Sequence, residues 1–156
     1  MSYVEEVLQP GENVLVVSTI HWAIYIPGIV LTAAGFVCFI YGYGGAGADS
    51  AIRDIVWAIS LLVLAAGFLS LLRAWFRRWT TEIAVTNRRV IYKRGFIRRY
   101  TVEMHMDKVE SIDVDQSVLG RLLDYGDVIV RGTGASFEPL PMVQAPIKLR
   151  NAVTAK

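Results

Sequence analysis

The sequence predicts an α+β membrane protein, a two-helix transmembrane hairpin followed by a β-rich domain that a terminal helix closes. Three observations carry that reading. No Asp, Glu, Lys or Arg lies between Glu12 and Asp49, and none between Asp54 and Arg73, so two apolar stretches reach the roughly 20 residues that a bilayer core requires. From Thr80 onward the apolar residues recur with period two, as in half-buried strands. Between these regimes, residues 73–99 hold nine basic residues against the single acid Glu82. A basic flank of this kind fixes which side of a bilayer a span faces.

Composition agrees with membrane residence, since 54% of the residues are apolar. Charge divides the chain: residues 1–72 carry one Arg and five acids, whereas residues 73–156 carry fifteen basic residues and nine acids. The water-facing part is therefore the second half. Cys38 is the only cysteine and sits in an apolar run, which rules out a disulfide framework and a cysteine-based zinc site. The first 13 residues hold Glu5, Glu6 and Glu12 but no Lys or Arg. They are unlike a secretory signal, and the first helix is expected to stay in the mature protein.

Taken in order, residues 3–8 suit a helical turn or two, and Pro10-Gly11 marks a turn. Residues 14–20 (VLVVSTI) are β-branched; being uncharged they could equally form the first turns of the helix, but a strand that pairs with the later β-domain is preferred. The N-terminal segment is thus set at 1–19, the hairpin at 20–79 with helices at about 20–43 and 55–76, and the β-domain at 80–156. Trp22 and Tyr25 at one end of the first helix, and Tyr41 and Tyr43 at the other, suit an aromatic belt. Pro27-Gly28 is tolerable inside a membrane helix, where neighbours can satisfy the freed carbonyls. A Gly-rich loop, residues 42–54, reverses the chain. Ala33-Ala34-Gly35 and Ala65-Ala66-Gly67 lie near mid-depth, where small residues let helices pack closely.

In the β-domain, residues 80–86 and 88–94 read as a hairpin around Asn87, with Ile83, Val85, Val90 and Tyr92 facing inward. Gly95 turns the chain into a third strand at 97–104. Residues 109–115 alternate, Ile112 and Val114 facing one way and Ser111, Asp113 and Asp115 the other. Ser117 suits the cap of a short helix expected to bury Val118, Leu119, Leu122 and Leu123. Residues 127–131 and 136–143 form a last hairpin about Gly132-Thr133-Gly134, and Pro146 suits the first position of a terminal helix, residues 146–155.

Several of these pieces together resemble the bacterial pleckstrin-homology-like domain, the second bacterial PH family. They are Thr86-Asn87-Arg88-Arg89, Gly95, Asp107-Lys108-Val109-Glu110, Gln116-Ser117-Val118-Leu119-Gly120-Arg121, Tyr125-Gly126 and Arg131-Gly132-Thr133-Gly134. The likeness covers roughly residues 80–152, and Pro10-Gly11-Glu12 with His21-Trp22 is similar to the family's N-terminus. The resemblance implies a PH-like split β-barrel of about seven strands closed at one end by the C-terminal helix. It implies no chemistry, because one fold hosts many functions.

Charge then supplies the candidate sites. Arg73, Arg77 and Arg78 are positive-inside anchors. Arg88, Arg89, Lys93, Arg94, Arg98 and Arg99 exceed what orientation needs, and they cluster at the hairpins where eukaryotic domains of the resembled fold hold phosphoinositides. Asp107, Glu110, Asp113 and Asp115 form an opposing acidic face. An enzyme is not expected: GxSxG, HExxH and Walker patterns are missing, and the two histidines, His21 and His105, are separated by both spans. No metal, cofactor or nucleic acid is expected either, because the acids lack an EF-hand loop and a domain beside an anionic leaflet already has a partner for positive charge. The expected function is a membrane-anchored module that oligomerises or scaffolds membrane proteins at the cytoplasmic face of the bacterial cytoplasmic membrane, with both termini on that side. Binding of anionic headgroups through the basic hairpins is the alternative. A pore is disfavoured because neither helix has an ionisable side chain at mid-depth.

Overall fold

The computed structural model describes residues 7–44, 50–95, 100–133, 135–136 and 139–154. The chain forms two compact units, one from residues through His21 together with those from Arg77 onward, the other Trp22–Phe76. The architecture is α+β, with two long helices, two antiparallel sheets and a C-terminal helix.

In the helical unit a 3-10 turn, Trp22–Tyr25, leads into α1 (Ile26–Gly44), and α2 runs over Ser50–Thr80. Both are long and apolar enough to cross a membrane. Pro27 falls in the first turn of α1 rather than inside a helix, so its missing N–H removes no intrahelical bond. The expected loop is shorter than residues 42–54, because Arg53 and Asp54 are helical and α2 begins five residues before the expected 55. At 31 residues α2 is ~46 Å long, which exceeds the ~30 Å hydrocarbon core. The helices pack antiparallel through small residues: a Cβ on Gly67 would lie 2.8 Å from the Thr32 backbone nitrogen, and one on Gly35 would lie 3.0 Å from that of Leu64. At Gly67 only glycine permits that approach, and at Gly35 a side chain would have to push Leu64 back.

The other unit is a barrel of two sheets. Strands β1 (Val14–Ser18), β2 (Glu82–Thr86), β3 (Arg89–Arg94) and β4 (Tyr100–His105) form the first, in that order. The second holds β5 (Val109–Asp115), β6 (Tyr125–Gly132), β7 (Ala135–Ser136) and β8 (Leu140–Gln144), with both β7 and β8 paired to β6. Among the described residues, seven strands fall in the expected β-domain, β2 to β8, and β1, expected to pair with them, precedes the long helices. β1 pairs with β2 from Val14↔Thr86 to Ser18↔Ile83. Its continuation then joins the second sheet: Ile20 bridges Val143, the Gln144 N–H donates to the Thr19 carbonyl at 3.0 Å, and the His21 N–H donates to the Met142 carbonyl at 2.7 Å. The N-terminal segment is therefore a seam of the barrel and not an appendage.

Period-two alternation places the core where the sequence predicts. Ile83, Val85, Val90 and Tyr92 are all buried, facing Val128, Val130 and Val143 of the second sheet. Each fully buried aliphatic side chain contributes about 1.5–3 kcal/mol. Ile112 and Val114 pack against the same core, half-buried. Helix α4 (Pro146–Thr154) starts at Pro146 and closes the barrel with Leu149 and Val153, one turn apart on one face. The helical turn expected at residues 3–8 lies almost wholly outside the described residues, as does the start of the third strand.

A short helix, α3 (Val118–Leu123), departs from expectation. Ser117 does cap it, its hydroxyl accepting the Gly120 N–H at 3.0 Å. Yet Val118, Leu119 and Leu122 are 86%, 63% and 80% exposed, Leu123 is half-buried, and Gly120 is the buried residue of the helix. The helix rests on the barrel through the glycine, whose Cβ would meet the Tyr125 carbonyl at 2.6 Å. Its apolar stripe faces outward.

Candidate interaction surface

Arg89 begins β3 and shares a face with Ile91, opposite the core residues Val90 and Tyr92. The N-terminal segment crosses that outer face and delivers Glu12. Arg89 donates from Nε to Glu12 Oε1 at 2.9 Å and from Nη2 to Oε2 at 2.8 Å, a two-pronged pair, and from Nη1 to Glu103 Oε2 at 2.6 Å. Nη2 also reaches the Val7 carbonyl at 2.9 Å. Glu12 accepts further from the Thr86 hydroxyl at 2.7 Å and the Gln9 N–H at 3.0 Å. The hydrogen bond from Arg89 is the main reason that the Glu12 carboxyl is held down at about 2, against the opposing effect of burial. The same pairing raises the Arg89 pKa. Arg89 is only 6% exposed, so it is removed from the basic surface that the sequence suggests.

The remaining cations separate by position. Arg88 is exposed in the β2–β3 turn, beside Gly11 at the far end of the barrel. Lys93, half-buried, and Arg94, exposed, end β3 opposite Thr101 and Tyr100. Because Glu82 pairs with Lys93, these two lie at the end where the chain arrives from α2. Arg77 and Arg78, both half-buried, belong to that arrival, and Arg73 is exposed one turn earlier in the helical unit. Arg98 and Arg99 lie outside the described residues.

Asp107, Glu110, Asp113 and Asp115 are all exposed. Asp113 and Asp115 share the outward face of β5, and Glu110 sits where the β5–β6 register shifts. Asp113 accepts from Arg131 Nε at 2.6 Å in an exposed pair. Asp115 stands opposite Asp127, a like-charge juxtaposition that disfavours the fold by a few tenths of a kcal/mol or more. Asp127 Oδ1 accepts the Met142 N–H at 2.8 Å. The four candidate acids thus lie on or next to the second sheet, where exposed Arg131 offsets Asp113, and the exposed bases Arg88 and Arg94 lie on or next to the first sheet, which also carries exposed Glu103. Among the described residues no three of His, Cys, Asp and Glu gather as a metal site.

The sequence pattern of the Bacterial PH domain family matches residues 16–155. The chain belongs to that family. The match begins inside β1 and runs through α4, so the bacterial PH pattern here takes in both the N-terminal strand and the long helices between β1 and β2. No curated protein matches the chain.

Besides the Arg89–Glu12 pair, two features of this bacterial PH domain escape sequence reasoning. One is the outward stripe of α3. The other is the end of the barrel where the chain departs toward the helical unit: the His21 ring stacks on Tyr125 with centroids 5.1 Å apart. Burial lowers the His21 pKa, the Arg78 charge adds to that, and Asp124 opposes it. The three non-glycine residues with positive φ, among those described, gather here as well. Asp124, Met142 and Ala145 have φ of 57, 56 and 49°. They are tied together, because the Ala145 N–H donates to the Asp124 carbonyl and Met142 holds His21. Left-handed backbone costs on the order of 1 kcal/mol per such residue, and it persists only where surroundings over-determine it. A signal for this knot existed in His21-Trp22, but its partners lie more than 100 residues downstream.

Proposed function

We propose that this bacterial PH domain protein is a membrane-anchored interaction module without catalytic activity, held in the bacterial cytoplasmic membrane by α1 and α2 and assembling with copies of itself or with another membrane protein. The observation that carries the reading is the division of charge. Acids predominate on the outer face of β5, although Arg131 offsets Asp113 there, and Arg88 and Arg94 stand exposed at the two ends of β3, so that two such surfaces on neighbouring copies are complementary. Head-to-tail contacts of this kind close into rings when the rotation permits, and tethering to one membrane raises the local concentration that favours them.

Anchoring is supported by the helices' exposed apolar sides, such as Val37 and Leu62, which a soluble protein would bury. The pairing of β1 with β2 supports the topology. The two strands flank the helical hairpin, and joining them requires both flanks on one side of a bilayer. The basic residues 73–99 favour the cytoplasm as that side.

The test is the mass of the full-length protein in nanodiscs or gentle detergent, alone and with Arg88 and Arg94 changed to Glu or Asp113 and Asp115 changed to Lys. A discrete assembly should dissociate in either variant and re-form when the two are mixed, since the reversed charges match each other. A monomeric wild type removes the assembly reading.

Lipid binding is favoured by one observation of its own: Lys93 and Arg94 lie at the barrel end from which the chain connects to α2. Each basic residue close to an anionic surface contributes about 1 kcal/mol. The protein should then melt at a higher temperature in anionic than in neutral nanodiscs, and Arg94→Glu should narrow the gap. Equal melting in both lipids counts against it.

A further inference from the structure

Helix α3 inverts the ordinary rule for a small amphipathic helix. Its residues 118, 119, 122 and 123 have the spacing of a core-facing stripe, yet the first three are among the more exposed large apolar side chains of the barrel. Only Gly120 and half-buried Leu123 turn inward. A helix of this length has no stability of its own. Here it is held by the Ser117 cap, by Asp124 in the left-handed position at its end, and by the Gln116 side-chain amide, which donates to the Tyr125 carbonyl at 3.1 Å. The fold thus fixes a patch of Val, Leu and Leu in the outward position, and places the cation Arg121 between them.

What the patch faces follows from its place. Tyr125, two residues past the end of α3, stacks on His21, and Trp22 is the first residue of the apolar stretch that includes α1. The short helix therefore sits at the end of the barrel from which the chain departs into its apolar span. We infer that α3 is an interfacial foot: Val118, Leu119 and Leu122 enter the headgroup–acyl boundary of the same bilayer that holds the hairpin, with Arg121 among the phosphates. This rests on the anchoring proposed above. The chemistry suits a bilayer surface, since apolar side chains gain by leaving water and an interposed Arg extends its stem to keep its charge with the headgroups. The consequence is a third point of membrane contact, which would fix the barrel's tilt and decide which of its faces remain open to partners.

Spin labels on single cysteines in the full-length, Cys38→Ala protein in nanodiscs test this, by comparing collision with oxygen, which concentrates in lipid, and with a polar nickel chelate. Labels go at Leu119, at Ser111 on the outward face of β5, and at Leu62 in α2. Oxygen should dominate at 119 and 62, and the chelate at 111. Oxygen at 62 but chelate at 119 would overturn the foot and leave the anchoring intact. Protection of 119 from both reagents would mean that a protein covers the patch, which also overturns it. Chelate dominance at 62 would remove the anchoring and the foot together. A paired substitution supplies a second reading: Val118→Ser with Leu122→Ser should shift the label at 119 from oxygen to chelate while leaving the one at 62 unchanged, and no shift at 119 contradicts the inference.

Discussion

Two exceptions to the usual sorting of residues in the barrel run in opposite senses. On the outer face of the first sheet it buries a charge pair, Glu12 with Arg89. On α3 it exposes three aliphatic side chains. The difference lies in what surrounds each exception. Every prong of the Arg89 guanidinium has an acceptor within the chain, so that pair is explained by the fold itself, pinning the N-terminal segment to the sheet. The stripe of α3 has no such internal account. A completed exception belongs to structure, and an uncompleted one directs attention outward.

The strongest way to break the comparison is to leave one charge of the pair alone. Arg89→Met should destabilise the full-length protein by about 3–5 kcal/mol in chemical unfolding, because it strands a buried carboxylate. Adding Glu12→Leu should recover most of that loss, since a buried pair replaced by apolar residues is often neutral. If the single change costs under about 1 kcal/mol, Glu12 escapes to water and the segment is not pinned.

Acid gives a second, slightly smaller effect. The Glu12 carboxyl titrates at about 2 in the folded state against 4.5 ordinarily. Between those values the unfolded chain binds more protons, so stability is complete above pH 4.5 and falls as the pH drops toward 2, by up to about 3 kcal/mol. Unfolding free energies across pH 2–5 should show this slope, and the Arg89→Met, Glu12→Leu double variant should flatten it.

Much of this was legible in the sequence and some was not, for reasons that can be named. Alternation identified Ile83, Val85, Val90 and Tyr92 as core because a strand's period assigns faces directly. Ser117 and Pro146 were legible as helix starts because caps are local chemistry. In sequence Arg89 looks like one more surface cation: its partner Glu12 is 77 residues away, and nothing local separates it from exposed Arg88. The α3 stripe looks core-facing because a helical period tells which residues share a face and not what that face meets. Strand β1 was legible as β-branched sequence, but its second set of contacts, with β8, depends on closure of the whole barrel.

Thr81 sharpens the contrast at a smaller scale. It is 3% exposed and its hydroxyl has no hydrogen-bond partner, so it is a buried polar group left incomplete where Glu12 is complete. Thr81→Val should raise stability by about 1 kcal/mol, measured in the same unfolding assay. A loss would reveal a partner for the hydroxyl. The smallest effect belongs to α3: Leu119→Ser and Leu122→Ser should each change the unfolding free energy in detergent by no more than about 0.5 kcal/mol, as expected for exposed sites. A larger loss would make the stripe part of the barrel's own packing.

One feature reaches beyond the finished structure. The Ser18 hydroxyl donates to the Gln144 carbonyl across 126 residues of chain, so β1 is completed only after everything between it and β8 has been made. During synthesis at about 5–20 residues per second, β1 therefore waits for that partner while both long helices are made. If those helices cross a bilayer as proposed, a chain that threaded only one of them would leave β1 and β8 on opposite sides, and the barrel could not close.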